Sequence, residues 1–348
     1  MTASLVIQTS FLGDMVLTTP LIAYLASRGV VDVVCTPAAA ALLANNPDVR
    51  ETIVYDKRGS DRGVSGFLKL ASRLRAKRYD AAYHAQGSAR SGSLSLAAGI
   101  RDRVGFATSA GKLFYTTRVA PIENVHHAAR LLALGTRDPL RDVPREKLRP
   151  RLYPGEAERA AVDALLGDQR AGGQPFIALA PGSVWATKRW PYYAELASLL
   201  NARGRIVVIG GEADRALAAE ILEAVGGDGI DATGRLSLLA SAEMIGRAAL
   251  LVTNDSAPLH LASAMNTPTV AVFGPTVPEF GFGPLAERAV VAGDTTLACR
   301  PCDKHGPQRC PLGHWRCMRE ITAPAVAELA GAIVHDARTP VATSAPRP

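Results

Sequence analysis

Four short polar turns, each following an apolar run, hold most of the residues that could do chemistry. The first is QTSFLGD, Gln8 to Asp14. Its glycine, Gly13, would let a ligand approach the backbone, and the Asp14 carboxylate could serve as a general base if it reaches a reacting hydroxyl. The plainer alternative is that Asp14 caps a helix. The second is PGSVWATKRWP, Pro181 to Pro191, whose loop amides, Ser183 and Thr187 hydroxyls and Lys188 ammonium suit a phosphate group. It could equally be a surface Lys-Arg pair beside a packing Trp190. The third is GGEAD, Gly210 to Asp214, where an acid could bind ribose hydroxyls or simply favour a first helical turn. The fourth is TNDSAPLHLASA, Thr253 to Ala264: strand, tight turn, helix. Asp255 and Ser256 can cap that helix, and its N–H groups can receive a diphosphate. His260 lies one turn in, or is an ordinary buried histidine. The spacing G-x-G-x-x-G is absent, so none of these is a dinucleotide fingerprint.

A fifth cluster is Cys299-x2-Cys302-x7-Cys310-x6-Cys317, with His305 and His314 interleaved. The first spacing suits zinc and the last is looser, so a structural zinc, packed reduced thiols and disulfides all remain open. Cys35 stands alone.

Elements must carry these turns to one place. Leu5–Gln8, Val30–Cys35, Thr52–Tyr55 and Ala81–His84 read as strands, with helices over about Asp14–Ser27 and Gly66–Arg78. Phe176–Ala180, Ile206–Ile209, Leu250–Thr253 and Thr269–Phe273 repeat the pattern, with helices over Trp190–Leu200 and about Pro258–Ala264. Strands alternating with helices predict an α/β chain built on parallel sheets. The two halves look like two copies of one architecture, which would put a cleft between two doubly wound domains. Ligands of such sheets bind beyond the carboxyl ends of the strands, where the polar turns fall. The polar, Gly-rich stretch Gly167–Gln174 reads as the boundary, giving domains over 1–168 and 174–335. Residues 338–348 have the composition of a disordered tail. The Pro- and Arg-rich Arg137–Arg151 reads as a surface connection.

The 348 residues are 48% hydrophobic and 20% charged, which excludes a disordered chain and a small disulfide scaffold. Aromatics are only 5%, so Ala, Leu and Val must form most of the core. Charge is asymmetric: residues 1–170 hold 24 basic and 16 acidic side chains, residues 171–348 hold 15 and 16. The basic half predicts an anionic partner. No run of 18 apolar residues could span a membrane, and the N-terminus lacks the positive start of a secretory signal, so the chain reads as cytoplasmic. Between Lys57 and Arg78, Phe67, Leu70 and Leu74 recur at helical spacing beside Lys69, Arg73, Lys77 and Arg78. That helix could rest on anionic lipid or simply pack its apolar side on a sheet. The basic half has no nucleic-acid motif and little aromatic interleaving, so nucleic acid is not the expected partner.

Taken together, QTSFLGDMVLTTPL, PGSVWATKRWP and NDSAPLHLASAMNTPTVAVFGPT resemble the family 9 glycosyltransferases, the bacterial lipopolysaccharide heptosyltransferases. The KRWP stretch and the tail CRPCDKHGPQRCPLGHWRCM are most similar to the heptosyltransferase II branch, and DAAYHAQGSARSGSLSLAAGIRDRVGF also looks like the family. The resemblance covers about residues 4 to 330 and implies a GT-B fold, two Rossmann-like domains facing across a cleft. It implies an inverting transfer of heptose from ADP-heptose, held by the C-terminal domain. The acceptor would be the anionic inner core of lipopolysaccharide on lipid A, held by the N-terminal domain at the cytoplasmic face of the inner membrane. By the same resemblance Asp14 is the general base and Lys188 the phosphate-binding lysine. Donor contacts fall on Ser183, Lys188, Glu212, Leu236, Asp255, Ser256, Ala257 and His260, and acceptor contacts on Gly13, Gln86, Ser88 and Arg90. No divalent cation is implied. Ala257 departs from the family pattern, standing where other branches have glycine. The rivals are a family 9 enzyme of heptosyltransferase I or III type, with another sugar or acceptor, and a non-catalytic nucleotide-sugar-binding protein of the same fold.

Overall fold

A computed structural model describes residues 2–138, 142–167, 175–293 and 296–335. The chain divides into two compact units, Met1–Tyr153 and Pro154–Pro348. The first holds strands β1 (Thr2–Gln8), β2 (Gly29–Cys35), β3 (Glu51–Val54), β4 (Ala81–His84), β5 (Asp102–Phe106) and β6 (Thr117–Val119). Its helices are α1 (Leu12–Ala26), α2 (Pro37–Leu42), α3 (Gly63–Ala76), α4 (Ala89–Ala97), α5 (His127–Thr136) and α6 (Arg145–Leu148). The second holds β7 (Phe176–Ala180), β8 (Arg205–Val208), β9 (Ile230–Asp231), β10 (Leu250–Asn254), β11 (Thr269–Val272) and β12 (Ala289–Ala292). Its helices are α7 (Glu156–Leu166), α8 (Tyr193–Leu200), α9 (Arg215–Ala224), α10 (Leu238–Arg247), α11 (Ala257–Met265), α12 (Arg316–Arg319) and α13 (Ala323–His335).

Each sheet is parallel. The orders are β3-β2-β1-β4-β5-β6 and β12-β11-β10-β7-β8-β9. Read from its other edge, the second has the order of the first, so the two units share one doubly wound topology. The strands are short and buried on both faces, which is why they read as continuous apolar runs. In each sheet the connections reverse direction between two central strands, β1 and β4 in one, β7 and β10 in the other. Register then decides what meets there. Ile7 pairs with His84, and Ala180 pairs with Thr253, so the turns after β1 and β4 emerge side by side, as do those after β7 and β10.

The structure moves several boundaries. Helix α1 starts at Leu12 rather than Asp14, with Phe11 at the N-cap position, so Asp14 sits in the first turn and is not the cap. Helix α8 starts at Tyr193 rather than Trp190, because Pro191 disfavours helical backbone at the residue before it. The unit boundary lies at Tyr153–Pro154, ahead of the Gly-rich stretch. Helix α7 belongs to the second unit: Val162 is buried, and Asp163 meets Arg247 of α10 at 2.6 Å. Residues 168–174 and the tail 338–348 lie outside the described residues. The Arg137–Arg151 connection contains the short α6, whose Leu148 is buried.

The apolar stripe of α3 packs on the sheet: Leu70, Ala71 and Leu74 are buried with Leu5, Ile7, Val34 and Ile53, and Phe67 lies against them. Arg73 and Lys77 turn to Glu51 on β3. That is the surface-helix alternative, and the stripe is not available to lipid. Among the described residues no helix is long and apolar enough to cross a membrane. The core is mostly Ala, Leu, Val and Ile, as the scarcity of aromatics requires.

Polar groups in the core are met in kind. Asp32 on β2, fully buried, accepts from Arg50 Nε and Nη2 at 2.9 and 2.7 Å and from the Tyr79 hydroxyl at 2.5 Å. His84, also fully buried, bonds Val104 O and Ser95 Oγ through its two ring nitrogens, each at 2.9 Å. Burial pushes its pKa down to about 4. The unfolded chain, with an ordinary histidine, binds that proton at higher pH. Stability therefore falls as pH drops from about 6.5 toward 4, by up to about 1.4 kcal/mol per pH unit for one such histidine. Urea midpoints measured between pH 7 and pH 5 should decline. A flat profile would contradict the buried neutral state of His84.

Candidate active site

The site-bearing turns of the second unit are tied together at the junction of β7 and β10. Asn254, the last residue of β10, is fully buried. Its Nδ2 donates to Pro181 O at 2.8 Å and its Oδ1 accepts from Trp190 N at 3.2 Å. One amide thus holds both ends of the Pro181–Trp190 loop. Inside that loop Lys188 is buried at 7% exposure and points its Nζ at Asp255 Oδ2, 2.6 Å away. Thr276, after β11, donates to the same oxygen at 2.7 Å.

Helix α11 begins just beyond Asp255. Ser256 occupies its N-cap position, but no side chain caps the helix. Here the structure departs from the expectation that Asp255 and Ser256 would cap α11. Asp255 is drawn to Lys188 and Thr276, while Ser256 Oγ donates to Asn254 O at 3.4 Å. In the first turn of α11 Pro258 has no N–H and Leu259 N donates to Ser256 O at 3.1 Å, so the Ala257 amide is the one that the missing side-chain cap leaves, beside a buried ammonium. His260 sits one turn along, 5% exposed, and its buried Nδ1 has no hydrogen-bond partner among the described residues. Burial pushes its pKa down to about 4, with Asp255 opposing and Lys188 assisting, so the ring is neutral near pH 7.

The other expected donor residues gather near the ends of β7, β8 and β9. Ser183 Oγ accepts from Trp185 N at 3.3 Å. Glu212 follows β8 with its side chain 81% exposed and only a 3.7 Å surface pair to Arg215. Gly234, at φ +66°, lies against it: a Cβ there would come within 3.1 Å of Glu212 Cα. This brings the turn holding half-buried Leu236 beside the acid. Thr187 is corrected. Its hydroxyl, read as a phosphate ligand, donates instead to Pro307 O.

In the first unit Asp14 is about a quarter exposed, accepts from Ser10 Oγ at 3.0 Å, and lies 4.0 Å from His127 Nε2 on α5. The turn before it, Thr9–Leu12, lines a cavity of about 600 Å³ together with Tyr55, Lys57, Arg58 and Gln86, among others; Asp14 itself is not on its wall. Gln86 accepts from Ser91 Oγ at 2.7 Å. Arg90 reaches the Tyr55 hydroxyl at 2.8 Å and lies over its ring. Ser88 caps α4 through Ser91 N and lines a small cavity with Lys57 and Arg90, and Gly13 lies in the first turn of α1. Lys57 Nζ donates to Thr9 O at 2.9 Å. Burial, then Arg58 and Arg90, hold its pKa below the ordinary lysine value. Sequence reasoning missed Lys57, Tyr55 and His127. Tyr55 and Lys57 lie at the end of a recognised strand and could have been found there. His127 gives no local signal, since only the packing of α5 on α1 brings it to Asp14.

All five cysteines are free. Cys299 Sγ is 3.9 Å from His314 Nε2, and the Cys302 thiol donates to Cys299 O at 3.4 Å. Burial pushes Cys317 up to about 11, with neighbouring thiols adding to it. Burial would raise Cys310 too, but N–H groups of Trp315, Leu312, Gly313 and His314 outweigh it and lower its pKa. Among the described residues no three His, Cys, Asp or Glu side chains are arranged to hold a metal ion, so of the readings left open for this cluster the geometry does not assemble the zinc site.

Each unit is thus a Rossmann-like parallel sheet, and at the switch point of the second stand a buried lysine and a helix whose N-cap side chain does not cap it. Residues 67–314 match the glycosyltransferase family 9 (heptosyltransferase) model, and the chain belongs to that family. It is 31% identical over 309 residues to lipopolysaccharide heptosyltransferase 2 of Escherichia coli K12, covering 82% of this chain and 86% of that protein. The same enzyme of Salmonella typhimurium LT2 is 30% identical over the same shares. The structure of E. coli ADP-heptose LPS heptosyltransferase II superposes with a TM-score of 0.77 at 28% identity, covering 96% of this chain and 98% of that one. A family 9 glycosyl transferase from Veillonella parvula, 23% identical, gives 0.83 over 97% and 98% and shares the fold. The fold is GT-B, and the protein is a glycosyltransferase similar to heptosyltransferase II.

Asn254→Ala should destabilise the second unit by about 2–4 kcal/mol, because a buried C=O and a buried N–H both lose their partner. Urea unfolding measures this. A change below about 0.5 kcal/mol would mean the clasp is not held as described.

Proposed function

We propose that the protein transfers heptose from ADP-heptose to the inner core of lipopolysaccharide, with inversion at the anomeric carbon. The observation that carries this reading is the buried Lys188 beside the uncapped α11. Ammonium and amides there sit in low dielectric, ready for the charge that develops on a departing diphosphate. The orphan Nδ1 of His260 supplies a further polar contact for the donor, and exposed Glu212 suits ribose hydroxyls. Ser183, Leu236 and the Ser256–Ala257 amides complete the donor site.

The Asp14 carboxylate takes the proton of the acceptor hydroxyl as that oxygen bonds to the anomeric carbon. The bond from that carbon to the ADP oxygen breaks, and ADP leaves with the electron pair. Asp14 suits this role because Ser10 and His127 fix its direction. The cavity lined by the turn before it, with Lys57, Arg58 and Arg90 close by, suits the acidic groups of the acceptor, and Gln86 adds a neutral contact. Lys188 and backbone amides meet the diphosphate charge, so no divalent cation is required. An acceptor anchored on lipid A would bring the basic first unit to the cytoplasmic face of the inner membrane. Among family 9 reactions, similarity to heptosyltransferase 2 over most of the chain favours addition of the second heptose.

A transfer assay with ADP-heptose against cores carrying zero, one or two heptoses tests the reading. Transfer to the mono-heptosylated core is expected, and transfer only to the heptose-free core would replace it with a heptosyltransferase I activity. Asp14→Ala should leave donor affinity within about twofold and cut turnover about a hundredfold or more. Ordinary turnover in that variant removes Asp14 from the mechanism. Activity should survive EDTA, and loss restored by magnesium would refute the metal-free route.

A further inference from the structure

The Pro181–Trp190 loop has little regular structure of its own. It contains one short 3-10 turn over Ala186–Lys188, and Val184 is 73% exposed. The segment between β12 and α12, containing the cysteine-rich stretch, lies against it. Arg300 Nη2 donates to Phe273 O at 2.8 Å and Thr276 O at 2.9 Å, and Cys302 N donates to Pro275 O at 2.9 Å. These bonds fix the segment to the end of β11. It then passes directly over the lysine. Gly306 has φ +78°, and a Cβ there would stand 3.2 Å from Thr187 Oγ1 and 3.3 Å from Lys188 Cε. His305 stacks on Trp185, with ring centroids 6.0 Å apart and planes 15° from parallel.

Two residues further on, the Gln308 side chain spans the loop. Its Oε1 accepts from Ala186 N and its Nε2 donates to Val184 O, each at 3.1 Å. Between those two residues lies Trp185, whose carbonyl accepts the Lys188 N–H at 3.0 Å. The chain of contacts therefore runs from Gln308 through the 184–186 backbone to the backbone of Lys188, and from there to the ammonium at Asp255.

We propose that Gln308 is a positioning residue for the donor diphosphate: its amide clips the loop so that Lys188 is aimed before the donor arrives. This rests on the phosphate role of Lys188 proposed above. A loop held in advance loses less freedom when the charged transition state forms, so the clip acts on transfer and not on folding. Gln308 is exposed, and removing its amide leaves no buried group unpaired.

The test is a double-mutant cycle read in kcat/KM for ADP-heptose, with Gln308→Ala, Lys188→Ala and the pair. Gln308→Ala should lower kcat/KM about five- to tenfold, as for two solvent-accessible hydrogen bonds. Its thermal midpoint should stay within about 2 °C of the parent, since a surface change of this kind is nearly neutral. Hydrogen exchange at the Ala186 amide should speed up. Lys188→Ala should cost more, and adding Gln308→Ala to it should change kcat/KM by less than about twofold, because both act through one ammonium. Parental kinetics in Gln308→Ala, or a full further loss in the pair, would overturn the clip. Parental kinetics in Lys188→Ala would instead overturn the phosphate reading on which it rests.

Discussion

Removing an ammonium from water costs several kcal/mol unless a carboxylate and hydrogen bonds meet it. Lys188 is met by Asp255, and Asp255 in turn by Thr276. Much of the second unit's site follows from that demand. It draws Asp255 away from the helix it could have capped, and so leaves the α11 N-terminus without a side-chain cap. It also sets the loop before Lys188 at a fixed distance from β10, which the Asn254 amide secures from inside. The buried ammonium is thus held in place by an anion of the protein itself. For the diphosphate proposed to bind there, the donors would already be in place, with little reorganisation left to do.

The two units share one topology but place opposite chemistry at equivalent points. At the first switch point the turn after β1 leads to a carboxylate, Asp14, with Lys57 and Arg90 nearby. At the second, the turn after β7 leads to a buried cation. Parallel doubly wound sheets gather loops at one end whatever the loops contain. Duplication of the scaffold therefore fixes where ligands go, and the loop residues fix which ligand each end accepts. The charge asymmetry of the sequence follows the same division: the unit proposed to take the anionic acceptor carries the excess of Lys and Arg.

The cysteine-rich segment contributes to the loop through residues other than its cysteines. Its spacing draws attention to the thiols, yet what it contributes to the loop comes from His305, Gly306, Pro307 and Gln308, which lie between them. Its contact with Thr187 also explains why that hydroxyl is not directed at a phosphate.

The α/β class, the parallel strands, the doubling of the architecture and the positions of the four polar turns were all legible in the sequence. Buried parallel strands must be apolar runs, and the turns that end them must be polar or small. The placing of Asp14, Lys188, Glu212 and His260 just after strands was likewise a local matter. What only the tertiary structure decided is which of these residues face one another. The Lys188–Asp255 pair spans 67 positions, and the approach of His127 to Asp14 depends on the packing of α5 against α1. The capping of α11 went unread for the same reason: whether Asp255 bonds its own helix or a distant lysine depends on a partner that no local pattern contains. The unit boundary followed packing too, since α7 joins the second unit through contacts with α10 rather than through any change in composition. Periodicity and turn chemistry act over a few residues, while charge pairing and close packing act through space. The first can be read along the chain, and the second exists only once the sheets have formed.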